Sequence, residues 1–125
     1  MDPGEGVVAR ALVVLEIAEA ERLLARGTPG VFTEGERAYA RSKSDPERRL
    51  AARLAAKRAV RELLGEDLAL DEVDVVGRRG GPPTLRLSAR ADARLRERGG
   101  ARLLLSLTHE RRHAAAAVLL LAETS

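Results

Sequence analysis

Hydrophobic and polar positions change period several times along this chain, and the changes mark out its elements. Residues 7–17 are mostly apolar and β-branched, which predicts a strand. Residues 18–26 are short and helix-prone, ending at Gly27-Thr28-Pro29-Gly30. Thr33-Glu34-Gly35-Glu36 has the capping-box form, a hydroxyl and a carboxylate that satisfy each other's orphan amides, and predicts a helix to about Arg41. Asp45-Pro46 opens the clearest helix. Aspartate is a favoured N-cap, and proline suits a first turn that has no use for its missing N–H. Leu50, Leu54, Val60, Leu63 and Leu64 form its apolar stripe, interleaved alanines permit close packing, and Gly65 is its stop. A short strand at 73–76, a turn at 77–82 and an alternating strand at 84–88 follow. Ser88 is placed to cap a helix through Arg98 that ends at Gly99-Gly100. Residues 102–107 and 114–121 are β-rich and joined by the charged stretch 108–112. The order β-α-α-α-β-β-α-β-β predicts an α+β domain.

At 125 residues the chain suits one domain, 1–125, with a core of its own. No cysteine is present, which removes disulfides, thiolate metal sites and a cysteine nucleophile. The longest apolar run, 114–122, is under half of a membrane span of about 20 residues. Met1-Asp2-Pro3-Gly4-Glu5 is acidic where an export signal carries base, so a cytoplasmic protein without a membrane is expected. Phe32 and Tyr39 are the aromatic residues, too few for base stacking, and no nucleic-acid partner is expected.

The net charge is +3 while the pI is about 10.1, because lysine occurs only at Lys43 and Lys57 and the other basic residues are arginines. Divided along the chain, residues 37–61 and 78–112 each carry +7, and residues 1–36 and 62–77 carry −4 and −6. Two basic segments on a nearly neutral chain suit a polyanion site, and equally suit solvated helix faces.

His109-Glu110-Arg111-Arg112-His113 matches the H-E-x-x-H zinc motif in letters. That motif needs a helix to put both imidazoles on one face, whereas Leu103-Leu104-Leu105-Ser106-Leu107 before it predicts a strand. In a strand–turn–strand setting the same residues become a polar loop. An imidazole there can meet a phosphate or relay a proton.

Several collinear motifs together resemble a family. Arg53-Leu54-Ala55-Ala56-Lys57-Arg58-Ala59 with Leu63-Leu64-Gly65 resembles the R-F-A-x-K-E-A…G helix of bacterial holo-acyl carrier protein synthases. Gly81-Pro82-Pro83-Thr84-Leu85-Arg86-Leu87 is similar to that family's G-x-P-x-L-x-L turn and strand. Ser106-Leu107-Thr108-His109-Glu110, with Ala114-Ala115-Ala116 and Val118, is similar to its S-I-S-H-[DE]…Y-A-x-A-x-V ending. Val13-Val14-Leu15-Glu16-Ile17 falls where the family has D-I-V-E-I, and Phe32-Thr33-Glu34-Gly35-Glu36 where it has L-[ST]-x-x-E. The resemblance spans nearly the whole chain.

The resemblance implies a 4'-phosphopantetheinyl transferase-like single domain, with a mixed sheet packed against a long helix and sites between the subunits of a homotrimer. It implies transfer of the phosphopantetheine arm of coenzyme A to a serine of an acidic acyl carrier protein, in fatty acid biosynthesis, with magnesium on the pyrophosphate. Lys57 and His109 then take the catalytic roles: Lys57 would contact the transferred phosphate, and His109 would meet a phosphate or assist proton transfer. Arg53 would hold a coenzyme A phosphate or the carrier, and Gly81 and Pro83 would shape the nucleotide pocket.

Departures from the family pattern concern the metal. Its two carboxylate positions fall on Val13 and Arg58, neither of which coordinates magnesium, a cation that requires oxygen. The guanidinium of Arg58 is suited to pair with pyrophosphate directly. A family lysine falls on Glu62, which predicts an Arg58–Glu62 pair at i,i+4. A family arginine that meets the carrier falls on Glu19, with Arg22 one turn on, and the family tyrosine before A-x-A falls on His113. The alternative function is a catalytically degenerate member that serves as a binding or structural module.

Overall fold

A computed structural model describes residues 6–27, 29–78 and 80–122. The acidic Met1–Glu5 segment used above to argue against export lies outside these residues. Strand β1 (Val7–Glu16) leads without a loop into α1 (Ile17–Arg26), followed by α2 (Glu34–Arg41) and the long α3 (Pro46–Leu64). A 3-10 turn (Leu70–Glu72), the hairpin β2 (Val73–Arg78) and β3 (Gly81–Leu87), α4 (Ala89–Glu97), and the hairpin β4 (Arg102–His109) and β5 (His113–Leu121) complete the chain.

The strands form two sheets, β1-β5-β4 and β2-β3, and the pairings of both are antiparallel. The mixed sheet of the sequence reading is therefore corrected. Tight hairpins join β2 to β3 and β4 to β5, and a parallel pair would have needed a crossover of a dozen or more residues. Ile17, counted above with the first strand, opens α1 instead, its N–H donating to the Arg112 carbonyl.

Helix α3 is the axis of the core. Its leucine stripe is buried as expected, but so are Ala51, Ala52, Ala55, Ala56 and Ala59, together with Arg53 and Lys57. Small alanine faces let other elements close on α3 from several sides. The inward face of the sheet, Leu15, Ala114, Ala116, Val118 and Leu120, joins the same buried clusters. The capping box at Thr33 and Glu36 is formed in both directions, and the Ser88 hydroxyl accepts from the Ala91 N–H. Asp45 precedes α3 but does not cap it through its side chain, which pairs with Arg49 at 3.0 Å.

Candidate functional site

Four side chains able to carry positive charge converge beside the N-terminal half of α3. Arg49 and Arg53 come from successive turns of α3, Arg78 from the end of β2 and His109 from the end of β4. They line a cleft of about 220 Å³ with Gly81 and Pro83 on its wall, and none of its lining residues is a carboxylate. A concave site with several cations and no carboxylate among its described lining residues suits a phosphorylated ligand.

Arg53 is built into this cleft at a cost. It is 4% exposed, its Nε–H has no hydrogen-bond partner, and burial draws its pKa below the ordinary arginine value. The Tyr39 ring lies under its guanidinium, 4.0 Å from centroid to Cζ, and supplies quadrupole attraction beside the longer-range attraction of Glu36. The close fit depends on Gly77, because a Cβ there would stand 3.1 Å from Tyr39 Cε1. Arg49 is held by Asp45, whose carboxyl the arginine keeps below its ordinary pKa.

The structure brings Arg53, Gly81, Pro83 and His109 together, and places Lys57 elsewhere. Lys57 is fully buried and points at α2, with Nζ 2.7 Å from Glu36 Oε1 and donating to the carbonyls of Leu70 and Val73. All three of its N–H donors are thereby used. Desolvation lowers its pKa, and Glu36 works against that shift. The residue expected to touch the phosphate is, in this chain, an internal tie between α3, α2 and β2. Tyr39, Arg49, Gly77 and Arg78 were missed at the sequence level. Arg49 was accessible there, since it precedes Arg53 by four residues on one helix; Tyr39 and the β2 residues reach the cleft only through tertiary packing.

His109 and His113 do not form a zinc site. They stand on either side of a hairpin turn, closed by the Glu110 N–H donating to the His113 carbonyl, and not one turn apart on a helix. His109 lines the arginine cleft, whereas His113 pairs with Glu110 at 3.0 Å and lines a different hollow beside Glu16.

Arg58 is not paired with Glu62 as expected. Its Nη1 lies 3.0 Å from Glu19 Oε1 on α1, so the pair crosses between helices and does not run along α3. Val13 is inward and packs against both buried clusters, and Glu16 is exposed on the opposite face of β1. Among the described residues no group of three or more acidic, histidine or cysteine side chains is arranged to hold a metal. A hydrocarbon at 13 and a guanidinium at 58 do not fit magnesium, which needs oxygen donors. A second, apolar cleft of about 180 Å³ lies between α1 and the start of α3, lined by Leu24, Val31, Phe32 and Leu50 with Arg37 and Arg41 among its walls.

This architecture belongs to the class of acyl carrier protein synthase folds. An ACPS–CoA complex from Chronobacterium ammoniagenes superposes with a TM-score of 0.78 at 25% identity, over 93% of this chain and 98% of that one. A holo-[acyl-carrier-protein] synthase of Thermus thermophilus is 44% identical over 118 residues, covering 91% of this chain and 93% of the relative. That of Anaeromyxobacter sp. strain K is 39% identical over 123 residues, 91% of this chain and 95% of its own. No family profile matches the chain. The chain belongs to the holo-[acyl-carrier-protein] synthase family.

Proposed function

We propose that this chain transfers the phosphopantetheine arm of coenzyme A to a serine hydroxyl of an acidic acyl carrier protein. The observation that carries the reading is the cationic cleft of Arg49, Arg53, Arg78 and His109, in a chain of this family. In the transfer, the serine Oγ forms a bond to the phosphorus that bears pantetheine. The phosphoanhydride P–O bond breaks and 3',5'-ADP leaves with its electron pair. The serine proton passes to a base, and the His109 imidazole is the group in the cleft suited to accept it. The arginines hold phosphate oxygens and offset the charge that develops on them. Gly81 and Pro83 form the wall for the nucleotide. Lys57 acts through position, fixing α3 against α2 and β2.

Two surfaces support the partners of this reading. The apolar cleft bordered by Arg37 and Arg41 suits an amphipathic acidic helix of the carrier. The outer face of the β1-β5-β4 sheet carries an exposed apolar patch, with Leu12 68%, Val14 62% and Leu104 43% exposed, and suits association with further copies of the chain. Arg53 and Arg58 are five residues apart on α3, about 140° around the helix. A ligand touching both is better served by two chains than by one, in keeping with a homotrimer. The reading implies a cytoplasmic protein of fatty acid biosynthesis.

The test is intact-mass spectrometry of an apo carrier protein incubated with this chain and coenzyme A, with and without magnesium. A gain of one phosphopantetheine mass is expected. If a control synthase loads the same carrier and this chain does not, transfer is overturned. The chain would then be the binding or structural module that Val13 and Arg58 favour.

A further inference from the structure

Arg58 occupies a position that the resemblance gives to a metal carboxylate, and its partner there is Glu19. Arg58 places a permanent positive charge there. Glu19, a carboxylate at the same junction, is already engaged by that charge at 3.0 Å. Val13, at the other carboxylate position, has a hydrocarbon side chain packed into the core. Any divalent cation at this junction would meet a like charge, and of these three residues only Glu19 offers an oxygen, on a carboxylate already paired with that charge.

Arg58 is nevertheless equipped to bind an anion. Its side chain is one-third exposed, and only Nη1 is used, by Glu19. Nε and Nη2 hydrogen-bond to none of the described residues and are not buried. They form the edge of a guanidinium that matches two phosphate oxygens at once. Glu19 reaches it from another helix, 39 residues away in sequence, and so holds the group in one orientation before ligand arrives.

We infer that this chain binds its pyrophosphate-bearing ligand without a divalent cation, Arg58 taking over the charge-neutralising role at the α1–α3 junction. This rests on the coenzyme A reading above. The experiment is calorimetric titration of coenzyme A into the full chain, once in EDTA and once in magnesium. Dissociation constants within about twofold of each other are expected, since Val13 and Arg58 leave the junction without the pair of carboxylates that would couple the ion to the ligand. Arg58→Ala should weaken coenzyme A about tenfold in both buffers, the scale of a lost charge-assisted contact. Glu19→Gln, which keeps the guanidinium and loosens its anchor, should weaken it less than Arg58→Ala does. Manganese added to the ligand-free chain should leave the relaxation of water protons as it is in buffer.

Coenzyme A binding that appears or tightens about tenfold only with magnesium overturns the inference and leaves the cleft reading intact. Arg58→Ala binding as tightly as the parent, with an unchanged circular dichroism spectrum, also overturns it. Failure of coenzyme A to bind in either buffer overturns the cleft reading, and the inference with it.

Discussion

Lys57 and Glu36 show how one buried pair organises its surroundings. Glu36 Oε1 receives Lys57 and the Thr33 N–H, and Oε2 receives the Val75 N–H, so a single carboxylate joins the start of α2, the middle of α3 and β2. Neither side chain has any exposure. Removing one partner strands a charge in the interior. Lys57→Met is therefore expected to cost about 3–5 kcal/mol in urea unfolding, and its combination with Glu36→Gln less than the sum of the two. The cleft residues answer to a different measurement. His109→Ala should lower the transfer rate about 100-fold or more while coenzyme A affinity changes far less, because a general base acts in the transition state. Arg53→Lys should not restore what Arg53→Ala loses in coenzyme A binding, since an ammonium cannot lie flat on Tyr39 while presenting a fork of donors.

Among the elements, α4 depends most on charge. Arg94 grips Asp67 through two nitrogens at 2.9 and 3.0 Å, and Arg90 grips Glu72, which also accepts from the Ser88 hydroxyl. The arginines draw the Asp67 and Glu72 pKa values down to about 2, from 3.8 and 4.5. A depressed carboxylate pKa stabilises the fold above the unfolded value, and that contribution is lost as pH falls toward the folded one. Thermal stability should therefore decline between about pH 4.5 and 2. Glu72→Gln should flatten that decline, as followed by circular dichroism melts. Gly65 makes this clamp possible: at φ 137° a Cβ would stand 2.8 Å from Asp67 Oδ1 and overlap the Arg94 guanidinium. At the other end of the core, Thr33→Ala removes one arm of the capping box and should cost about 1 kcal/mol.

At the scale of the whole molecule, the outer sheet face is the surface on which the proposed association rests. Leu12 lies opposite Ala117, which lies opposite Ser106, and Val14 opposite Ala115, so the face is continuous across three strands. Leu12→Glu places a charge at its centre without touching the inward face, and should convert a sedimenting oligomer to monomer with little change in the far-ultraviolet spectrum. A parent chain that sediments as a monomer would remove the trimer from the proposed function.

Local patterns settled most of the architecture before any tertiary contact was considered. The capping box, Pro46 in the first turn of α3, Ser88 and the glycine stops are chemical signals that act within a few residues, so nearly every element was legible, including the β4–β5 hairpin that excluded zinc. Strand direction was not legible: the expected mixed sheet is antiparallel, because pairing depends on partners distant in the chain. The collinear motifs marked Arg53, Gly81, Pro83 and His109 as neighbours, and packing brought those four to one cleft. Packing also turned Lys57 inward, slid Tyr39 beneath Arg53, and gave Arg58 to Glu19 instead of Glu62. The physical reason is common to all three. Sequence spacing governs which face of a helix a side chain leaves from, but only the element packed against that face decides which partner it meets.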